Sequence, residues 1–101
     1  MHAHEIVREF QRIFGGTEVE YALHTDDLTL DRIAVRVAGW PEWAVYRDTH
    51  RLLTTLRALA ADEGATAEGD ARVCARIEEV GCLRDTASLS ALKAEGWEVR
   101  E

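Results

Sequence analysis

The stretch AGWPEWAVYRDTHRLLTTLRALAADEG, residues 38–64, admits two readings, and the fold turns on the choice between them. Read as one long helix, it opens with Pro41 in its first turn and aligns Trp43, Tyr46, His50, Leu53, Leu56 and Ala60 in a continuous stripe. Read as strand then helix, residues 42–47 hold the β-forming run Trp-Ala-Val-Tyr, and Asp48 or Thr49 caps a helix from His50 to Asp62. Composition favours the second reading. It buries Leu52, Leu53, Leu56 and Leu59 on a sheet and stops the helix at Gly64.

The sheet is announced upstream. Between Thr17 and His24, Val19, Tyr21 and Leu23 alternate with Glu18, Glu20 and His24, the period of a half-buried strand. HTDDLTLD (24–31) reads as a turn, after which Ile33, Val35 and Val37 alternate with Arg32, Ala34 and Arg36. Before these strands, Ala3, Ile6, Val7, Phe10, Ile13 and Phe14 recur at helical spacing, with His4, Glu5, Arg8, Glu9 and Arg12 on the other side. Gly15-Gly16 supplies the left-handed stop.

Downstream, GATAEG (64–69) reads as a surface loop, and Asp70 caps a helix from Ala71 to Val80 that Gly81 ends. Asp85 or Thr86 is expected to cap a last helix reaching Glu95; Gly96 stops it, and Trp97 and Val99 alternate in a short terminal strand. The expectation is therefore an α+β fold in one small globular domain, residues 1–101. Its parts are an N-terminal helix, a three-stranded antiparallel meander, three C-terminal helices packed on one face and a short terminal strand.

Nineteen acidic residues against twelve basic ones give a formal net charge of −7, and only Lys93 among the basic residues is a lysine. That balance argues against direct nucleic-acid binding, whose affinity comes largely from basic side chains displacing counterions from phosphates. No apolar run approaches the length of a membrane span, and the charged start MHAHEIVREFQRIF does not resemble a signal peptide, so a cytoplasmic location is expected. Cys74 and Cys82 read as free thiols.

Site chemistry is sparse. His2, His4, His24 and His50 with the two cysteines show no paired metal-ligand spacing, and no nucleophile elbow, phosphate-cradling loop or dinucleotide fingerprint occurs, so neither metal, cofactor nor catalytic residue is assigned. Asp26, Asp27 and Asp31 lack the spacing of a calcium loop and read as a solvated turn. Trp40, beside the only proline, is the best placed of three tryptophans for contact with a partner, since tryptophan is enriched at interfaces.

The order from Ala65 onward, a helix ending at Gly81, the turn CLRD, a helix through SLSALKAEG and the strand WEVRE, resembles the recognition helix and wing of winged-helix DNA-binding domains. The resemblance covers roughly the last third of the chain and implies Arg84, Ser88 and Lys93 as contact residues. Residues 62–101, however, carry ten acidic and five basic side chains. Alanines and leucines on opposite sides of the last helix also predict that it is sandwiched, unable to lie free in a groove.

The expected function is thus a non-enzymatic acidic protein engaging a basic protein surface, with a homodimer allowed. Glu18, Glu20, Asp26, Asp27, Asp31, Trp40, Glu78 and Glu79 are the candidate partner-binding residues. In size and composition the chain is similar to the small inhibitors that phages carry against host nucleic-acid-binding defence complexes, anti-CRISPR proteins among them. The alternative is a winged-helix-like DNA-binding regulator.

Overall fold

Residues 43–47 form a strand and not the start of a long helix. In the computed structural model, which describes residues 3–26, 31–61 and 70–100, the chain runs α1 (Ala3–Ile13), β1 (Val19–His24), β2 (Arg32–Val37), β3 (Trp43–Arg47) and α2 (Thr49–Ala61). It continues through α3 (Asp70–Glu79), β4 (Leu83–Ala87), α4 (Leu89–Ala94) and β5 (Trp97–Arg100). The α+β class holds. Asp48 separates β3 from α2 with φ +54°, a left-handed conformation that Asp tolerates, and its carboxylate accepts from the Arg51 amide at 3.4 Å. The expected loop 64–69 and the stop at Gly64 lie outside the described residues.

The sheet is antiparallel and has five strands in the order β4-β3-β2-β1-β5. Its first face carries Tyr21, Ile33, Val35, Val37, Ala44 and Tyr46, and α1, α2 and α3 cover it with Ile6, Phe10, Leu52, Leu56, Val73 and Ile77 among others. Both α1 and α3 end in paired backbone bonds around a left-handed glycine: Gly16 to Gln11 O with Gly15 to Arg12 O, and Cys82 to Ile77 O with Gly81 to Glu78 O. The second closure delivers buried Cys82 beside the core and aims the chain into β4.

Three expectations are corrected here. CLRD is not a turn, because Leu83–Ala87 is an edge strand paired with β3. The last helix starts later than expected and is only six residues long, with Ser88 and not Asp85 or Thr86 as its cap; the Ser88 hydroxyl accepts from the Ala91 amide at 3.2 Å. And α4 does not join the other helices: it lies on the second face, where Leu92 packs in a cluster with Ala22, Ala34, Trp43, Val45 and Trp97.

Cross-strand register explains why a helix can sit there. Val99, Ala22, Ala34 and Val45 are successive partners across β5, β1, β2 and β3, so the centre of that face is a row with two methyl-sized side chains. Small side chains let the helix approach closely, and Leu92 fills the space they leave, becoming fully buried. The other flank of α4 is open, with Leu89 41% exposed and Ala91 and Ala94 exposed, so the helix is not sandwiched within this chain. Nor is it followed by a wing, since β5 pairs with β1.

Glu9 also departs from expectation. Helical spacing places it on the polar side of α1, yet it is 7% exposed, with Arg12 Nη1 3.5 Å from an Oε2 that has no hydrogen-bond partner.

Candidate binding cleft

The short α4 leaves part of the second face uncovered, and a cleft of about 640 Å³ opens between it, the β3–β4 edge and the ends of β1 and β2. His24 and Arg32 project from neighbouring strands, Trp97 from β5, and Arg84, Asp85 and Ser88 from β4 and the cap of α4. Glu42 and Glu95 complete the charged lining.

A bulge assembles one side of this cleft. Val45 pairs with Asp85 but Tyr46 pairs with Leu83, so Arg84 is the extra residue with no partner in the ladder. Without that shift, alternation would place Leu83 and Asp85 on the same face. With it, Leu83 packs against the first-face core while Arg84 and Asp85 both line the cleft.

The groups that could begin chemistry there are already engaged. The Nδ1 of His24 accepts from the Asp26 amide at 3.1 Å, which leaves the proton on Nε2, donated to the Glu95 carbonyl at 2.7 Å. The ring also meets Trp97 edge-on at 5.2 Å, and the Arg32 guanidinium lies 5.9 Å from the Trp97 ring centroid. Ser88 is held by its capping bond. By contrast Glu42, Asp85 and Glu95 are all exposed and form no ion pair among the described residues.

The acidic residues singled out from sequence do not form one patch. Glu18 and Asp26 sit at opposite ends of β1, roughly 25 Å apart by strand rise, and Glu20 is paired with Arg36 at 2.9 Å. Asp26 and Asp31 are exposed at the β1–β2 end, next to the His24 and Arg32 side of the cleft; Asp27 lies outside the described residues. Glu79 pairs with Arg76 at 3.1 Å near the end of α3. Of the winged-helix contact set, Arg84 and Ser88 line the cleft and Lys93 does not.

Trp40 is half-buried instead of projecting from its turn: its ring stands edge-on to Phe10 at 6.3 Å and Phe14 at 5.8 Å. It lines, with Glu78, a second cavity of about 330 Å³ on the first face, between α3 and the β3–β4 edge. Tyr46 forms part of that cavity, and burial, with Cys74, Glu78 and Cys82 nearby, pushes its phenol far above the ordinary range. Burial likewise raises the Cys82 thiol, with Asp48 adding to the shift and Arg51 and Arg47 opposing it. Cys74 and Cys82 are not joined in a disulfide, and no group of three His, Cys, Asp or Glu side chains among the described residues is arranged to hold a metal. No described helix is long and apolar enough to cross a membrane.

Sequence reasoning missed the cleft because its parts come from three separate readings. His24 and Arg32 were placed on a wet strand face, Trp97 in a terminal strand, and Asp85 at a helix cap. The available signal was the alternation itself, which puts His24 and Arg32 on the same face as Ala22 and Ala34. Compared with protein-family models, curated proteins and solved structures, the chain gives no match in any of the three.

Proposed function

We propose that this chain is a non-enzymatic binding protein whose acidic surface captures a basic protein surface, with contact centred on the cleft beside α4. The observation that supports the reading is the set of three exposed carboxylates, Glu42, Asp85 and Glu95, which outnumber the arginines Arg32 and Arg84 around one concave site and form no ion pair among the described residues. Asp26 and Asp31 extend the same sign of charge along the cleft's β1–β2 end. A net charge of −7 steers basic partners toward the molecule and repels polyanions.

The engaged state of His24 and Ser88 supports binding over catalysis, since neither is poised as a base or nucleophile. The partner class that fits is a protein groove built to hold nucleic-acid phosphates, whose arginines and lysines would meet carboxylates here instead. Occupying such a groove would inhibit it.

The test is affinity capture from lysate, with and without nuclease, by the native chain and by Asp85→Lys/Glu95→Lys. Proteins that survive nuclease treatment, are rich in basic surface and are lost from the variant carry the reading. Capture that the charge reversals leave unchanged sinks it, and capture abolished by nuclease, with duplex binding lost in Lys93→Glu, favours the DNA-binding alternative.

A further inference from the structure

The first-face cavity is built differently from the cleft, and its walls point to a ligand of defined chemistry. Its aromatic surface is fixed from behind. Trp40 is held edge-on by Phe10 and Phe14, its carbonyl accepts from Arg36 Nε at 3.0 Å, and Phe10 stacks on Tyr46 at 5.7 Å with 28° between the planes. Pro41, Ala44 and Leu83 complete the apolar lining. At about 330 Å³ the cavity falls at the small end of ligand-sized pockets, roughly 300–1,000 Å³.

All the formal charge on this lining has one sign. Glu42 enters from the β2–β3 turn and Glu78 from α3; both are exposed, and among the described residues neither is ion-paired and no Lys, Arg or His lines the cavity. The two carboxylates come from different elements of the fold. A guest with an apolar body and a positive head satisfies both parts: its body replaces water against Trp40, Pro41 and Leu83, and its charge meets the two glutamates. An anionic guest would face both carboxylates with no counter-charge. A neutral one would leave them unused.

We infer that this pocket is a binding site for a small organic cation with an apolar body, of the arylalkyl-ammonium class, held by Trp40, Pro41 and Leu83 through its ring and by Glu42 and Glu78 through its head. Glu42 borders the cleft as well, but the assignment does not rest on the cleft reading, because Glu78, Trp40 and Leu83 lie outside that cleft.

The experiment is an amide and indole NMR titration of the intact chain with phenethylammonium, with phenethyl alcohol as the neutral match and hydrocinnamate as the anionic one. Saturable shifts are expected at the Trp40 indole N–H and at the Cys74 and Glu78 amides. The ammonium should bind at least about tenfold more tightly than the alcohol and lose about tenfold in affinity in Glu42→Gln/Glu78→Gln. Both substitutions are on exposed side chains and leave the fold in place, and Glu98→Gln, on the far edge strand, should bind like the native chain. The assignment is overturned if no saturation occurs up to about 10 mM ammonium, if the alcohol or the anion binds as tightly, or if the double variant binds unchanged.

Discussion

The Nε2–H of His24 donates to the main-chain oxygen of Glu95 across 2.7 Å, tying the end of β1 to the end of α4 over 71 residues of chain. The same ring accepts from the Asp26 amide and braces Trp97, so one side chain fixes a turn, a helix end and the first residue of β5. His24→Phe keeps an aromatic edge against Trp97 but deletes both hydrogen bonds. The expected loss is about 1 kcal/mol in urea unfolding, modest because the site is partly solvated. Hydrogen exchange should speed up at the Thr25 amide, which bonds the Gly96 carbonyl at 3.0 Å.

Leu92 is the only fully buried side chain of α4, filling the space above Ala22 and Ala34, whereas Leu89 is 41% exposed. Leu92→Ala should cost about 2–4 kcal/mol, through lost transfer energy plus a cavity that the alanine row cannot collapse to fill. Leu89→Ser should stay within about 0.5 kcal/mol. Equal effects from the two, measured by chemical denaturation, would contradict the placement of α4.

Glu9 presents the opposite case, a buried carboxylate whose Oε2 has no hydrogen bond and only a 3.5 Å approach from Arg12. Replacing it by Met keeps length and removes the need to desolvate a charge. Glu9→Met is expected to raise stability by about 1 kcal/mol, while Arg12→Ala, which strands the carboxylate, should lower it. A denaturation midpoint that falls in Glu9→Met refutes this account.

Alkaline pH should weaken the fold through Tyr46 and Cys82. In the unfolded chain a thiol ionises near 8.5 and a phenol near 10, whereas burial holds both protons on in the fold. Above about pH 9 the unfolded state therefore binds fewer protons than the native one, and stability falls as pH rises. Below that range both groups are protonated in either state and contribute no slope. Tyr46→Phe with Cys82→Ala should flatten the decline, measured as urea midpoints from neutral to about pH 11.

Periodicity carried most of the fold. The helical stripe of α1, the alternation of β1 and β2, the Trp-Ala-Val-Tyr run of β3 and the leucines of α2 each have one face in the first-face core, where burial imposes a pattern on sequence. β4 was illegible for a physical reason. In LRDTA only Leu83 and Ala87 are part-buried, the three residues between are exposed, and a bulge interrupts the alternation, so what remains looks like a turn with helix-capping residues. Losing that strand hid the sheet's edge, and with it both cavities, since Thr86 lines each. The acidic set was legible as composition but not as a surface. Glu20 met Arg36 and Glu79 met Arg76, while Glu42, at the start of the expected strand, and Glu95, at the expected helix end, form no ion pair among the described residues.

The crossover from β4 through α4 to β5 joins the two outermost strands of the sheet, one segment of chain spanning the second face from margin to margin. Until it docks, β1 has an open margin of unpaired amides and carbonyls, and its eventual partner lies more than seventy residues away along the chain. A state with the first four strands formed and β5 undocked therefore presents an edge able to pair with another copy of the chain. How well Leu92 and His24 hold α4 and β5 in place would then set how much of the protein is lost to aggregation as it folds.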